Sequence, residues 1–149
     1  MKNKVAITKC GKYEYEEIKK SLYTLIENTD FPDVKGKKVL VKPNILSDSK
    51  AEKNITTNPL VVKAVIEIVK ERGAETIWCG DSPGMPGPKF RGEGCGIWDV
   101  VEETGATWVD FFDGAKPTVF WNKVKAPQCR FLTEADVVIS VCKMKTHQL

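Results

Sequence analysis

Short apolar runs alternate with amphipathic ones along this chain, and that alternation limits the folds open to it. Val39-Leu40-Val41 reads as a buried strand ending at Lys42-Pro43-Asn44. Residues 76–81, 107–110 and 137–142 read as further strands, and residues 5–9 as a short one at the start. Between them lie stretches of helical period. Tyr15, Ile18, Leu22, Leu25 and Ile26 share one helix face, with Glu16, Glu17, Lys19 and Lys20 on the other. Residues 59–72 form a second amphipathic run and residues 97–104 a third, shorter one. Thr57-Asn58-Pro59 is a helix start, with a capping side chain and proline at the first helical position. Gly73 and Gly105 supply the stops.

Strands alternating with helices at this spacing imply βαβ units. The expected fold is α/β: a three-layer, Rossmann-like, mostly parallel sheet with flanking helices. Residues 45–54 are polar and irregular and read as a loop, as do residues 82–96. Residues 118–121 and 124–125 read as a hairpin turning at Asn122-Lys123, and residues 132–135 as a turn. Residues 1–149 read as one α/β domain. No helix follows the last apolar strand, so the sheet is expected to be incomplete and the chain to be the N-terminal part of a longer protein. An uncovered sheet edge would also favour self-association.

The totals exclude several functions. Net charge is +3 with both signs interspersed, so there is no basic stripe for nucleic acid. No apolar run is long enough to span a bilayer, and the first residues lack a signal-peptide core. A cytoplasmic location is expected, without membrane or nucleic-acid partners. The five cysteines are odd in number, widely spaced and free of Cys-x-x-Cys pairs, which argues against a disulfide framework or a zinc site. Cys79 and Cys142 fall within strands and read as small core hydrophobes. Cys95 lies in a glycine-rich loop, with no neighbouring base to activate it. P-loop, dinucleotide-fingerprint and nucleophile-elbow patterns are all missing.

In an open parallel sheet, ligands bind beyond the carboxyl ends of the strands. Three strands end in polar groups: Lys42 and Asn44, Asp81 and Ser82, and Lys143, Lys145 and His147. Thr56, Thr57 and Asn58 stand at a helix N-terminus on the same rim, where backbone N–H groups and the helix dipole favour an anion. Lysines supply charge, Asn44 and Ser82 hydrogen bonds, and Asp81 an acceptor that orients a lysine or holds a cation. A lysine pair near His147 would favour the neutral imidazole. The candidate ligand residues are therefore Lys42, Asn44, Thr57, Asp81, Ser82, Lys143, Lys145 and His147, with no metal site.

Four segments taken together resemble a known family, domain of unknown function 362. They are Val39-Leu40-Val41-Lys42-Pro43-Asn44, Thr56-Thr57-Asn58-Pro59, Gly80-Asp81-Ser82-Pro83-Gly84, and the run from Ala135 to His147 that ends Lys143-Met144-Lys145-Thr146-His147. Their order and spacing agree from about Lys38 onward. The resemblance implies a continuation beyond the Lys-Thr-His segment. In many members it also implies a ferredoxin-like region holding two [4Fe–4S] clusters. No such cysteine run is present here, so no cofactor is expected in this chain itself; the clusters belong to the C-terminal region. The implied function is the N-terminal module of an iron–sulfur, redox-linked protein that binds a small anionic ligand, with the iron–sulfur domain in cis or in trans. The resemblance assigns no reaction and no catalytic residue. Two other functions compete: a non-redox binding module for a phosphorylated or carboxylated metabolite, and a structural or assembly module.

Overall fold

Strand β1 (Lys38–Pro43) is the axis of the molecule, and its Val39, Leu40 and Val41 are wholly buried. In the computed structural model, which describes residues 3–47, 49–82, 92–120, 124–144 and 146, β1 pairs in parallel on both sides. On one side lies β2 (Thr76–Cys79), followed outward by β3 (Thr107–Trp108); on the other lies β6 (Val137–Val141). The sheet order is β3-β2-β1-β6, with all neighbours parallel. This is the α/β, Rossmann-like arrangement expected from the alternating pattern.

Side-chain alternation in a strand sends successive residues to opposite faces. Val39, Val41 and Cys79 enter the larger core on one face, with Ile77 and Ile139 packed against it. Leu40 enters a smaller core on the other, beside Trp78. The large core is covered by α2 (Pro59–Glu71) and α3 (Ile97–Thr104), which contribute Val62, Val65, Ile66, Val69, Ile97 and Val101. Each fully buried aliphatic side chain contributes roughly 1.5–3 kcal/mol. Asn58 caps α2, its side chain accepting from the Leu60 N–H at 2.9 Å, and Pro59 stands at the first turn. Gly73, with φ +83°, takes the left-handed turn after the helix, which a side chain would strain.

Helix α1 (Tyr15–Glu27) buries Ile18 and is fastened to α2 by polar pairs. The Tyr15 hydroxyl donates to Glu67 and the Tyr23 hydroxyl to Glu71, while Lys19 reaches Glu71 at 2.6 Å. On the opposite face lie Val109, Phe111 and a short helix, α4 (Arg130–Glu134). A separate antiparallel hairpin, β4 (Lys116–Phe120) with β5 (Val124–Gln128), precedes α4.

The structure corrects some local expectations. Residues 5–9 form no strand. The alternation of Val5 and Ile7 has no neighbouring strand to pair with among the described residues, and both side chains are almost fully exposed. Residues 132–135, read as a turn, belong mostly to α4. Phe131 holds that helix down by packing edge-on against Trp78 at 5.1 Å. Cys142 lies one residue past β6 and is exposed, not a core hydrophobe; Cys79 is buried as expected. The polar loop after β1 includes a 3-10 turn at Ala51–Lys53. The hairpin turn at Asn122-Lys123 and most of the glycine- and proline-rich loop, residues 83–91, lie outside the described residues.

Candidate functional site

The chain leaves β1, builds β2 and β3 on one side through α2 and α3, and later returns to lay β6 on the other side. The strand order therefore reverses between β1 and β6. In open α/β sheets such a switch point, outside the carboxyl ends, is where a crevice forms.

Thr57 stands between the ends of β1 and β6. Its hydroxyl donates to the Val141 carbonyl at 2.6 Å and accepts from the Asn44 N–H at 2.9 Å. Its own N–H donates to the Asn44 carbonyl at 2.9 Å. One buried side chain thus ties together the ends of β1 and β6 and the approach to α2. The contribution of Asn44 to this clamp is its backbone. Beside it the Thr56 hydroxyl is buried, with no hydrogen-bond partner among the described residues. A buried orphan of this kind is uncommon and calls for an explanation.

A second cluster sits at the ends of β1 and β2. Asp81 is buried and its two carboxylate oxygens are divided: one accepts from the Ile45 N–H at 2.7 Å, the other pairs with the Lys42 ammonium at 2.5 Å. Ile45 is itself buried, so the carboxylate fixes the loop leaving β1 as well as the lysine. The Lys42 side chain remains about one-third exposed, so its ammonium keeps contact with the exterior. Lys42 and Ser82 both line a cleft of about 410 Å³ on the α4 face, walled by Phe111, Phe112, Pro127 and Leu132.

Lys143 is positioned differently. Its ammonium donates to the Tyr13 hydroxyl and to Asn54 Oδ1, both at 2.9 Å, and lies 5.3 Å from the Tyr13 ring centroid. It joins the segment before α1 to the loop after β1. Asn54 takes up that position with φ +54°, a left-handed conformation that asparagine tolerates. The lysines at the strand ends thus address different neighbours, Asp81 for Lys42 and Tyr13 with Asn54 for Lys143. Lys145 and His147 lie outside the described residues.

Sequence reasoning missed the apolar wall of the cleft. Phe111 and Phe112 follow β3 by a few residues, and nothing in their local pattern points across to Lys42. Cys129 and Gln128 also line the cleft, at the start of α4. Among the described residues no three or more His, Cys, Asp or Glu side chains are grouped to hold a metal ion. Of the described cysteines, Cys79, Cys95 and Cys129 are buried, and Cys10 and Cys142 are exposed. Burial, and then the Asp81 charge, push the Cys79 thiol up to about 12. No helix among the described residues is long and apolar enough to cross a membrane.

Comparison with known proteins is informative at the level of family. The family described as Domain of unknown function (DUF362) matches residues 39–149. A relative from Synechocystis sp. (strain ATCC 27184 / PCC 6803 / Kazusa), the thylakoid-associated protein sll1697, is 29% identical over 153 residues. That alignment takes in 99% of this chain and 46% of the relative, so the chain spans about half the relative's length. No solved structure matches the chain.

Proposed function

Because this chain belongs to the DUF362 family, we propose that it is the N-terminal α/β module of an iron–sulfur, redox-linked protein and binds a small anionic ligand at the carboxyl rim of its sheet. One observation supports the ligand part: β1, β2 and β6 run parallel, so the polar groups at or just past their ends, Lys42 and Asn44, Asp81 and Ser82, and Lys143, stand along one rim of the sheet. The N-terminus of α2 adds its dipole, and the orphaned Thr56 hydroxyl adds an unused hydrogen-bonding group. Lys42 brings positive charge, with Asp81 holding it in place. Ser82, Lys143, Lys145 and His147 complete the proposed ligand set, and Thr57 and Asn44 shape it.

The redox part rests on the family resemblance and on the relative's greater length. A ferredoxin-like region, in cis or in trans, would hold [4Fe–4S] clusters and supply electrons; the described cysteines have no part in it. Cytoplasmic residence belongs to the same proposal, and similarity to a thylakoid-associated protein makes cell fractionation its direct check.

Calorimetric titration of the purified protein with inorganic phosphate and small carboxylates tests the ligand site. Saturable binding that weakens in Lys42→Ala and Lys143→Ala is expected; affinity unchanged in both variants removes the site. For the redox part, the longest product of the gene, purified without oxygen, is assayed for iron and acid-labile sulfide. Finding neither rejects it.

A second reading, as an assembly module, is favoured by β6. Its outer edge has no strand partner among the described residues, and Val138 is exposed on the face opposite the large core. Sedimentation at rising concentration decides: a monomer throughout counts against assembly.

A further inference from the structure

The cleft on the α4 face has a composition that specifies more than an anion. Its volume of about 410 Å³ lies within the range of small-molecule sites. Lys42 and Ser82, from the neighbouring ends of β1 and β2, make one end polar; Gln128 adds a further polar group, and Phe111, Phe112, Pro127 and Leu132 are apolar. The two phenylalanines differ. Phe111 is buried in the small core and is a fixed wall. Phe112 is 56% exposed, a large apolar area left in contact with water at the cleft.

The charge at the polar end is limited. An ammonium has three donors. One is committed to Asp81, which is buried and divided between Lys42 and the Ile45 N–H. Donors remain for a ligand, but the pair as a whole is neutral. A polyanion such as a diphosphate would find little compensation there. A single carboxylate attached to a flat apolar body matches both ends: a charge-assisted hydrogen bond at one, ring contacts at the other.

We propose that this cleft binds a small planar aromatic monocarboxylate, with its carboxylate on Lys42 and Ser82 and its ring against Phe112 and Leu132. This deepens the anion-site reading and rests on it for the role of Lys42.

The test titrates the purified protein with naphthoate, with the uncharged naphthalene methanol and with inorganic phosphate. The wild type is compared with Phe112→Ser and Lys42→Ala, and circular dichroism checks that each variant is folded. Phe112 is at the surface, so its replacement leaves the core intact. Naphthoate is expected to bind, to lose about tenfold or more in affinity in Phe112→Ser, and to lose its advantage over the alcohol in Lys42→Ala. Lys42-dependent phosphate binding without naphthoate binding overturns this proposal while leaving the anion-site reading in place. Binding of neither probe removes both. Naphthoate binding that Phe112→Ser leaves unchanged overturns the cleft as its location.

Discussion

The Thr57 hydroxyl donates to the Val141 carbonyl at 2.6 Å, joining the start of α2 to the end of a strand 84 residues later. The same oxygen accepts from the Asn44 N–H. Replacing it with a methyl leaves a part-buried backbone donor and a buried acceptor unpaired together. Thr57→Val is therefore expected to cost about 2–4 kcal/mol, whereas Thr57→Ser keeps both bonds and costs under about 1 kcal/mol. Urea denaturation of the two variants checks this, and equal losses would show that the hydroxyl is not the clamp.

Asp81 serves both a backbone amide and a lysine, so its two partners are unequal. Asp81→Ala strands the Ile45 N–H in the interior and leaves Lys42 alone, an expected loss of about 2–3 kcal/mol. Lys42→Ala leaves the Ile45 bond intact and lets water reach the carboxylate through the vacated, partly exposed position. Its cost should be about 1 kcal/mol. Denaturation midpoints in the reverse order would contradict this division of roles.

Gly80 lies where β2 passes the chain after β3. A Cβ there would overlap the Val109 carbonyl oxygen and crowd the Val109 side chain. Backbone cannot swing aside as the end of a long side chain can, so Gly80→Ala should cost about 3 kcal/mol. Thermal unfolding reports it, and a wild-type Tm would mean that the two strand ends separate easily.

The α1–α2 pairing adds a pH dependence on the acid side. Lys19, and then the Tyr23 hydroxyl, hold the Glu71 carboxyl below its ordinary value of 4.5. A depressed carboxyl stabilises the fold above its unfolded pKa, and that contribution is lost as pH falls through the folded value. Glu71 is half exposed, so the effect is small, under about 1 kcal/mol. The stability difference between wild type and Glu71→Gln should shrink as pH drops from 6 to below 4.5. A constant difference would show that the pair is not linked to folding.

Thiol accessibility provides a check on the core. Cys79 is buried with its thiol raised, and Cys95 and Cys129 are buried as well. At pH near 8, a thiol-specific reagent should modify Cys10 and Cys142 in the native protein and the other three only on unfolding. Peptide mass analysis identifies the sites; rapid labelling of Cys79 would mean that the sheet opens at β2.

Much of the fold was legible because its signals are local. The bounds of α3 follow from its flanking glycines and apolar spacing, and the start of α2 from Asn58 and Pro59. The same local patterns put Lys42 and Asn44 at the end of one strand and Asp81 and Ser82 at the end of another. Residues 5–9 show the limit of such reading. Alternating Val5 and Ile7 have strand propensity, but a strand exists only when a neighbour supplies hydrogen bonds, and local sequence does not name the neighbour. Tertiary structure alone decided that Thr57 would use its hydroxyl internally and that Lys42 and Lys143 would turn to different partners. It also decided that Phe111 and Phe112 would wall a cleft with Lys42. Periodicity and capping act over a few residues, so the sequence determines them directly. The Lys42–Asp81 and Thr57–Val141 contacts join residues 39 and 84 positions apart, and only the stacking order of the sheet brings them within hydrogen-bond distance.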